Sequence, residues 1–217
     1  MIDVLTDNLD DFASGLWVTT RLVAGSFVVA LVLGTLVAAL RVSPSAWLNR
    51  IGTVYVEIFR NVPLLVLLFI FFPGVLRGGV EITPWTAGII ALGVYTSAYI
   101  TEALRSGVAA VGAGQREAGL SLGLTQAGVL RRIVLPQAFR TVIGPLGSIT
   151  IAMIKNSAIV GASIVALPDI LKEARIVNSN TFQTTESFFW AAVCYLLLTV
   201  TVTVVIRNLE TRYAIRR

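Results

Sequence analysis

Residues 116–136 read REAGLSLGLTQAGVLRRIVLP and lie between two long apolar runs of the chain. Glu117–Leu122 can form a short helix that Gly123 ends, because glycine adopts the left-handed backbone conformation at little cost. Thr125 can cap a second short helix, and Pro136 then ends that helix or begins the next one. The stretch therefore predicts a helix–turn–helix at a membrane surface. The alternative is an amphipathic helix that only anchors the loop there.

The composition identifies a polytopic membrane protein. Of the 217 residues, 56% are hydrophobic and 13% are charged, and the mean hydropathy is +0.83. A soluble domain carries about 25% charged residues. Residues 1–11 contain four aspartates and no lysine or arginine, which is the wrong charge for the start of a signal peptide.

The inventory of reactive side chains argues against an enzyme. The chain has no histidine and a single cysteine, Cys194, so it cannot assemble a zinc site, a Ser–His dyad or an internal disulfide. No aspartate lies inside an apolar run, which disfavours an intramembrane aspartyl protease. The net charge of +5 comes from basic residues that flank apolar runs, where they set topology. We therefore expect no bound cofactor or metal and no nucleic-acid partner.

Hydropathy predicts an all-α integral membrane protein with about five transmembrane helices. A helix needs about 20 residues to cross the hydrocarbon core. The predicted spans cover residues 14–40, 53–76, 82–104, 138–166 and 186–207. Two of them are polar or broken: the second takes in charged residues at its start, and Lys155 interrupts the fourth.

The basic residues give the orientation. Arginines follow the first span, fill the loop between the third and fourth spans, and follow the fifth. By the positive-inside rule these faces are cytoplasmic, so the N-terminus is outside and the C-terminus is in the cytoplasm. Residues 1–13 are then an outer tail, 14–209 the membrane domain and 210–217 a basic cytoplasmic tail. The loop 112–136 faces the cytoplasm.

The spacing within that loop is specific. Glu117-Ala118-Gly119 is followed by Gly123 after three residues and, nine residues later, by an Ile-x-Leu-Pro sequence that ends at Pro136. This resembles the EAA motif of permeases in binding-protein-dependent ABC transporters. The sequence departs from the motif once, because Gly119 replaces the second alanine. Glycine lowers helix propensity, but we expect the docking shape to survive.

The resemblance covers nearly the whole chain. Residues 55–63 (YVEIFRNVP), 95–118 and 134–165 look like blocks shared by the polar amino acid permeases, most of all by glutamate-importer permeases. The resemblance implies the type I ABC importer (MetI-like) transmembrane fold in the cytoplasmic (inner) membrane of a prokaryote.

The resemblance also implies partners. In this family the EAA loop docks on a cytoplasmic ABC ATPase dimer that binds ATP and magnesium, and this chain has no G-x-x-x-x-G-K-[ST] loop of its own. A second permease subunit, either a homologous chain or another copy, and an external amino-acid-binding protein complete the assembly. The residues implied in ATPase coupling are Glu117, Ala118, Gly119 and Gly123 on the docking surface, and Leu124, Ile133, Leu135 and Pro136, which set its shape. Glu117 can pair with a basic group on the ATPase or in this chain.

Polar side chains at membrane depth are candidates for a substrate pathway or gate, because each costs about 2.5–3.5 kcal/mol on insertion scales. The candidates are Glu57, Arg60, Asn61, Glu102, Arg105, Lys155, Asn156 and Ser157. The pairs Glu57–Arg60 and Glu102–Arg105 are spaced to form ion pairs, and structural pairing is the alternative to gating. The helix breaks or faces a cavity at Lys155, which either meets a substrate carboxylate or extends to the outer interface. A carrier or channel that works without ATP is the competing function.

Overall fold

The computed structural model describes residues 1–79 and 81–213, with the side chains of residues 71 and 73–77 outside the description. This part of the chain contains helices and no strand. The helices are α1 (Ile2–Asp7), α2 (Leu9–Arg41), α3 (Ala46–Asn61), α4 (Leu64–Arg77), α5 (Pro84–Ala109), α6 (Ala113–Ser121), α7 (Gln126–Val129), a π-helical turn (Leu130–Val134), α8 (Leu135–Ala162), α9 (Ile170–Thr181) and α10 (Thr184–Tyr213). Of the predicted basic tail, residues 214–217 lie outside the described residues.

Four of the described helices are long and apolar enough to cross a membrane. They are α2, α5, the continuous helix Gln126–Ala162 and α10. Helix α3 and residues Leu64–Ile70 of α4 meet the same requirement together, but their axes differ by 102°. The described chain thus has four spans, or five when the bent pair counts as one, and the predicted all-α membrane fold is confirmed.

The predicted second span is therefore two helices and not one. Helix α3 ends at Asn61, and Val62 adopts an extended conformation with φ −92° and ψ 128°. Pro63 explains this, because a proline disfavours helical geometry in the residue before it and donates no backbone hydrogen bond.

Helices α2 and α5 pack closely at the centre of the molecule. A β-carbon on Gly34 would lie 2.8 Å from Ile100 Cγ2, and one on Gly93 would lie 2.8 Å from Val29 Cβ. The hydroxyl of Thr101 donates a hydrogen bond of 3.2 Å to the carbonyl of Gly34. The small residues thus let the two backbones approach until they share a polar contact.

A buried carboxylate organises the end of α8 opposite the EAA loop. Asp169 is fully buried and caps α9 by accepting the N–H of Lys172 at 2.9 Å. The hydroxyl of Tyr195 on α10 donates to the same carboxylate at 3.2 Å, and the N–H of Ile170 donates to Thr19 Oγ1 on α2 at 3.2 Å. Burial raises the pKa of Asp169 to about 6, against the lowering effect of the hydrogen bonds from Lys172 and Tyr195. We call this group the Asp169 junction.

Candidate functional site

The first half of the EAA loop folds as predicted. Helix α6 covers Ala113–Ser121, and Gly123 follows it with φ +80°. The N–H of Gly123 donates to Leu120 at 2.9 Å, and the N–H of Leu124 donates to Gly119 at 3.1 Å, which closes the helix end. This pattern needs a left-handed residue, and glycine supplies it without strain.

The second half of the loop differs from the prediction. Thr125 caps α7 as expected, accepting the N–H of Gly128 at 3.1 Å. However, α7, the π-helical turn and α8 form one helix, Gln126–Ala162, so there is no separate second surface helix. Pro136 lies in the first turn of α8 and interrupts nothing.

The π-helical turn lets the helix continue past Pro136. A proline in a regular helix lacks the N–H and clashes with the carbonyl four residues earlier. Here Leu135 bonds instead to the carbonyl of Leu130, five residues back, which widens the turn just before the proline. The loop is thus joined rigidly to the fourth span.

The predicted docking residues divide between two faces of α6. Glu117 and Ala118 are exposed. Gly119 is buried, and a β-carbon there would lie 2.6 Å from Ile133 Cδ1 and 3.0 Å from Val129 Cγ2. Gly119 therefore belongs to the inner face of α6, contrary to the prediction that it forms part of the docking surface. Its missing side chain is what lets Ile133 approach.

The remaining coupling residues frame an exposed corner. Gly123, Leu135 and Pro136 are exposed, whereas Leu124 is half-buried. Leu122, beside Gly123, is 84% exposed, and it was not among the predicted coupling residues. The sequence signal that could have identified it is an apolar residue directly before a glycine that ends a helix. Large apolar side chains in such positions serve as anchors in interfaces.

Helix α6 is fastened to the helices around it. Arg116 donates a 2.8 Å hydrogen bond to the carbonyl of Val108 at the end of α5. Beneath α6 lies a small apolar cluster of Val111, Val129, Val134 and Ala138. Force on the exposed face of α6 can therefore pass to α5 and α8. Glu117 forms no ion pair within the described residues.

An ion-pair cluster lies at the same end of the bundle. Glu102 binds Arg105 at 2.9 Å, which confirms that predicted pair, and it also binds Arg41 at 3.2 Å. Arg41 in turn donates to Thr53 Oγ1 at 2.6 Å. The cluster thus ties the end of α2 to α3 and α5. Arg41 was not predicted, because only the fold brings it to Glu102.

The other predicted pair is wrong. Glu57 accepts a hydrogen bond of 3.1 Å from Asn61, and no ion pair joins it to Arg60 in the described chain. The guanidinium of Arg60 lies instead over the ring of Tyr99, 5.4 Å from its centroid. The aromatic face of α5 thus takes the cation, and the neighbouring amide takes the carboxylate.

The three polar residues of the fourth span do not act together. Helix α8 runs unbroken to Ala162, so the predicted break at Lys155 is wrong. Lys155 is exposed, whereas Ser157 is buried and donates to the carbonyl of Ile154 at 2.7 Å. Of these three residues, only Asn156 lines a cavity, which was the alternative to a break in the helix.

That cavity has about 170 Å³ and lies between α5 and α8. Tyr95, Thr96 and Tyr99 line it opposite Asn156, and the two tyrosine hydroxyls lie 3.1 Å apart. The Thr96 hydroxyl is buried and has no hydrogen-bond partner among the described residues. A buried polar atom without a partner is unusual, and here it belongs to a residue that lines the cavity. No group of three or more metal-ligating side chains occurs in residues 1–79 and 81–213.

Comparison with known sequences gives relatives along the whole chain. The probable glutamine ABC transporter permease protein GlnM of Bacillus subtilis is 38% identical over 215 residues, or 97% of each chain. The glutamate transport system permease protein GluC of Corynebacterium efficiens is 35% identical over 93% of each chain. The glutamate/aspartate import permease protein GltJ of Escherichia coli K12 is 31% identical over 91% of this chain and 85% of its own.

Solved structures agree with the fold. A crystal structure of an amino acid ABC transporter with histidines matches with a TM-score of 0.89 at 32% identity, covering 96% of both chains. An inward-facing MetNI methionine ABC transporter matches with a TM-score of 0.79 at 20% identity, covering 96% of this chain and 99% of its own, and supports the fold alone. The family model described as the inner membrane component of binding-protein-dependent transport systems matches residues 30–215. The chain belongs to that family.

Proposed function

We propose that this chain is the permease subunit of an ATP-driven importer for glutamine or glutamate. The chain would lie in the inner membrane of a prokaryote with its N-terminus outside and its C-terminus in the cytoplasm. Its partners would be a cytoplasmic ATPase dimer that binds ATP and magnesium, a second permease subunit and an external binding protein. The names of the relatives support an amino acid with an acidic or amide side chain, such as glutamate or glutamine.

The observation that carries the proposal is the exposed corner of the EAA loop. Glu117, Ala118 and Leu122 are open to a partner, while the backbone beneath them is fastened to α5 and α8. A carrier that works alone needs no such rigid external face. An ATPase seated there could drive the two helices directly.

The cavity beside Asn156 supports a polar substrate. Its volume of about 170 Å³ suits a single amino acid, and its polar atoms come from Thr96, Asn156 and the tyrosine pair. Hydroxyl and amide groups can hydrogen-bond both a side-chain amide and a carboxylate. Glutamine and glutamate are therefore both candidates, and uptake measurements must separate them.

The test is uptake into liposomes that contain this chain, the neighbouring permease and the ATPase, with the binding protein supplied. We expect ATP-dependent uptake of glutamine or glutamate, with aspartate and arginine as weaker competitors. Gly123→Asp puts a side chain at a position with φ +80°, which glycine adopts more readily than aspartate, and it places a negative charge in the exposed corner of the loop. We expect it to abolish uptake while the complex still hydrolyses ATP.

Gly114→Asp is the matched control. It adds the same charge to α6, and a β-carbon at Gly114 meets no atom within 4 Å. Uptake should persist in this variant. Uptake that needs no ATP would refute the importer and support a carrier that works alone. Normal uptake by an assembled Gly123→Asp complex would refute the coupling role of the loop.

A further inference from the structure

A second and larger cavity lies between the EAA loop and the ends of the spans. It has about 860 Å³ and is bounded by the ends of α2 and α5, by α6, and by the helix that begins at Gln126. Three arginines line it: Arg41 from α2, Arg105 from α5 and Arg116 from α6. Only one carboxylate, Glu102, pairs with them in the described chain, so the group carries two positive charges in excess.

The guanidinium groups keep unused donors. Each arginine has five N–H donors. Arg41 uses its terminal nitrogens on Thr53 and Glu102, and Arg116 uses one on the carbonyl of Val108. The Nε atoms of Arg41 and Arg116 have no partner among the described residues, but they are buried. The donors left for a ligand are therefore the remaining N–H groups of the terminal nitrogens. Unused donors on neighbouring arginines match the oxygens of a phosphate group, which arginine binds in a bidentate manner.

Most of the remaining wall is apolar, and Asn49 and Gln126 are its other polar residues. Val108, Val129 and Val134 form the inner side of the cavity, and Leu130, 41% exposed, lies at its margin. Trp47 near the start of α3 is 70% exposed at the same end of the bundle, and tryptophan is enriched where a membrane meets water. A ligand that fits both parts of the cavity carries a phosphate on an apolar stem.

The cavity also includes an irregular helix. Leu130 and Val134, at the two ends of the π-helical turn, both line it. Widened turns of this kind are frequent at functional sites. Basic pockets between transmembrane helices on the cytoplasmic side bind phospholipid head groups.

We infer that this arginine cavity binds the phosphate of an anionic phospholipid, with the acyl chains along Leu130. A bound phosphate would join Arg41 and Arg105 at the span ends to Arg116 on the EAA loop. Binding requires neither ATP nor substrate, so it stands apart from the proposed transport function.

The test is native mass spectrometry of the full chain with its co-purifying subunits, titrated with dioleoylphosphatidylglycerol. We expect Arg116→Gln to weaken binding about tenfold, since a charge-assisted contact is lost. Ala127→Phe, which fills the cavity and leaves the charges unchanged, should weaken it similarly. Arg140→Gln removes the same charge from an exposed site outside the cavity lining and should bind as the wild type does.

The other outcomes either overturn the lipid site or assign it to another ligand. Equal weakening by Arg140→Gln, or equal binding of dioleoylphosphatidylcholine, would overturn the site by showing only general attraction to the membrane. Displacement of the lipid by millimolar inorganic phosphate or glycerol 3-phosphate would keep the phosphate site and assign it to a soluble ligand. Lipid bound to the isolated chain but absent from the complex with the ATPase would overturn the inference, because a protein segment would then fill the cavity.

Discussion

The two ends of the fourth span are built in opposite ways. At one end, the helix that begins at Gln126 carries the EAA loop, whose outer face is exposed at Glu117, Ala118 and Leu122. At the other end, the Asp169 junction is buried and its polar groups are paired with one another. Contacts within the chain close the second end, whereas the first end presents an exposed face.

This contrast predicts which substitutions alter function and which alter stability. Exposed residues of α6 contribute little to the fold, so substitutions there should alter function and spare stability. Residues of the Asp169 junction connect α2, α9 and α10 and pack against Gly161 of α8, so substitutions there should alter stability first. Five sets of variants test this contrast.

Gly161→Ala should be the most damaging. A β-carbon at Gly161 would overlap the carboxylate of Asp169, which Lys172 and Tyr195 hold in place. We expect a loss of about 3 kcal/mol or more from overpacking, measured as thermal unfolding in detergent by tryptophan fluorescence. Gly112→Ala is the control, because a β-carbon there meets nothing within 4 Å. Equal melting of the two variants would contradict the close packing of the junction.

The Asp169 junction should make stability depend on pH. The native pKa of Asp169 is about 6, above the value of about 3.9 for an unfolded chain. The native state therefore binds more protons between these values, and stability falls as pH rises from about 4 to about 6. The change is about 3 kcal/mol.

Asp169→Asn should remove most of this dependence, because asparagine can still accept the N–H of Lys172 but does not titrate. A smaller dependence remains from Glu173, because burial raises its pKa as well. Lys172, Glu173 and Tyr195 remain around the site in both proteins. Asp3→Asn, at an exposed position, should leave the dependence unchanged. The measurement is the melting temperature at pH 4.5 and pH 7.5. Equal slopes in wild type and Asp169→Asn would contradict the assignment.

Variants of two buried threonines of α5 test whether each hydroxyl serves a ligand or the fold. Thr101 is buried and bonded to the carbonyls of Gly34 and Ser97, so Thr101→Val should cost about 1 kcal/mol of stability. Thr96 is buried without a partner in the described chain. Thr96→Val should leave stability unchanged and raise the KM for uptake. A destabilised Thr96→Val with normal KM would show that its hydroxyl serves the fold.

Gly119 and Ile133 should be energetically coupled. Gly119→Ala restores the alanine of the EAA motif but presses on Ile133 Cδ1, the flexible end of a side chain. We expect a loss of about 1 kcal/mol. Ile133→Val removes that methyl group, so the double variant should be more stable than the sum of the single losses by about 0.5 kcal/mol or more. Strict additivity in the melting temperatures would contradict their contact.

Local features of the site were predictable, and features that depend on distant packing were not. The helix ended by Gly123 and the Glu102–Arg105 pair follow from spacing within a few residues. Arg41 at Glu102 and the burial of Asp169 depend on helices that meet only in the folded chain. No sequence pattern distinguishes these residues from others at span ends. Gly119 was assigned to the wrong face because the motif fixes residue types but not which way they point.

The measurement that tests coupling most directly is a cysteine cross-link between this chain and its ATPase. Cys194 is the sole cysteine, so Cys194→Ala provides a clean background. Single cysteines are then placed at Ala118 on the EAA loop and at Ala162 at the other end of the fourth span, both exposed. We expect the cysteine at 118 to cross-link to the ATPase and the cysteine at 162 to remain free of it. Failure at 118 in an intact, hydrolysing complex would contradict docking through the EAA loop.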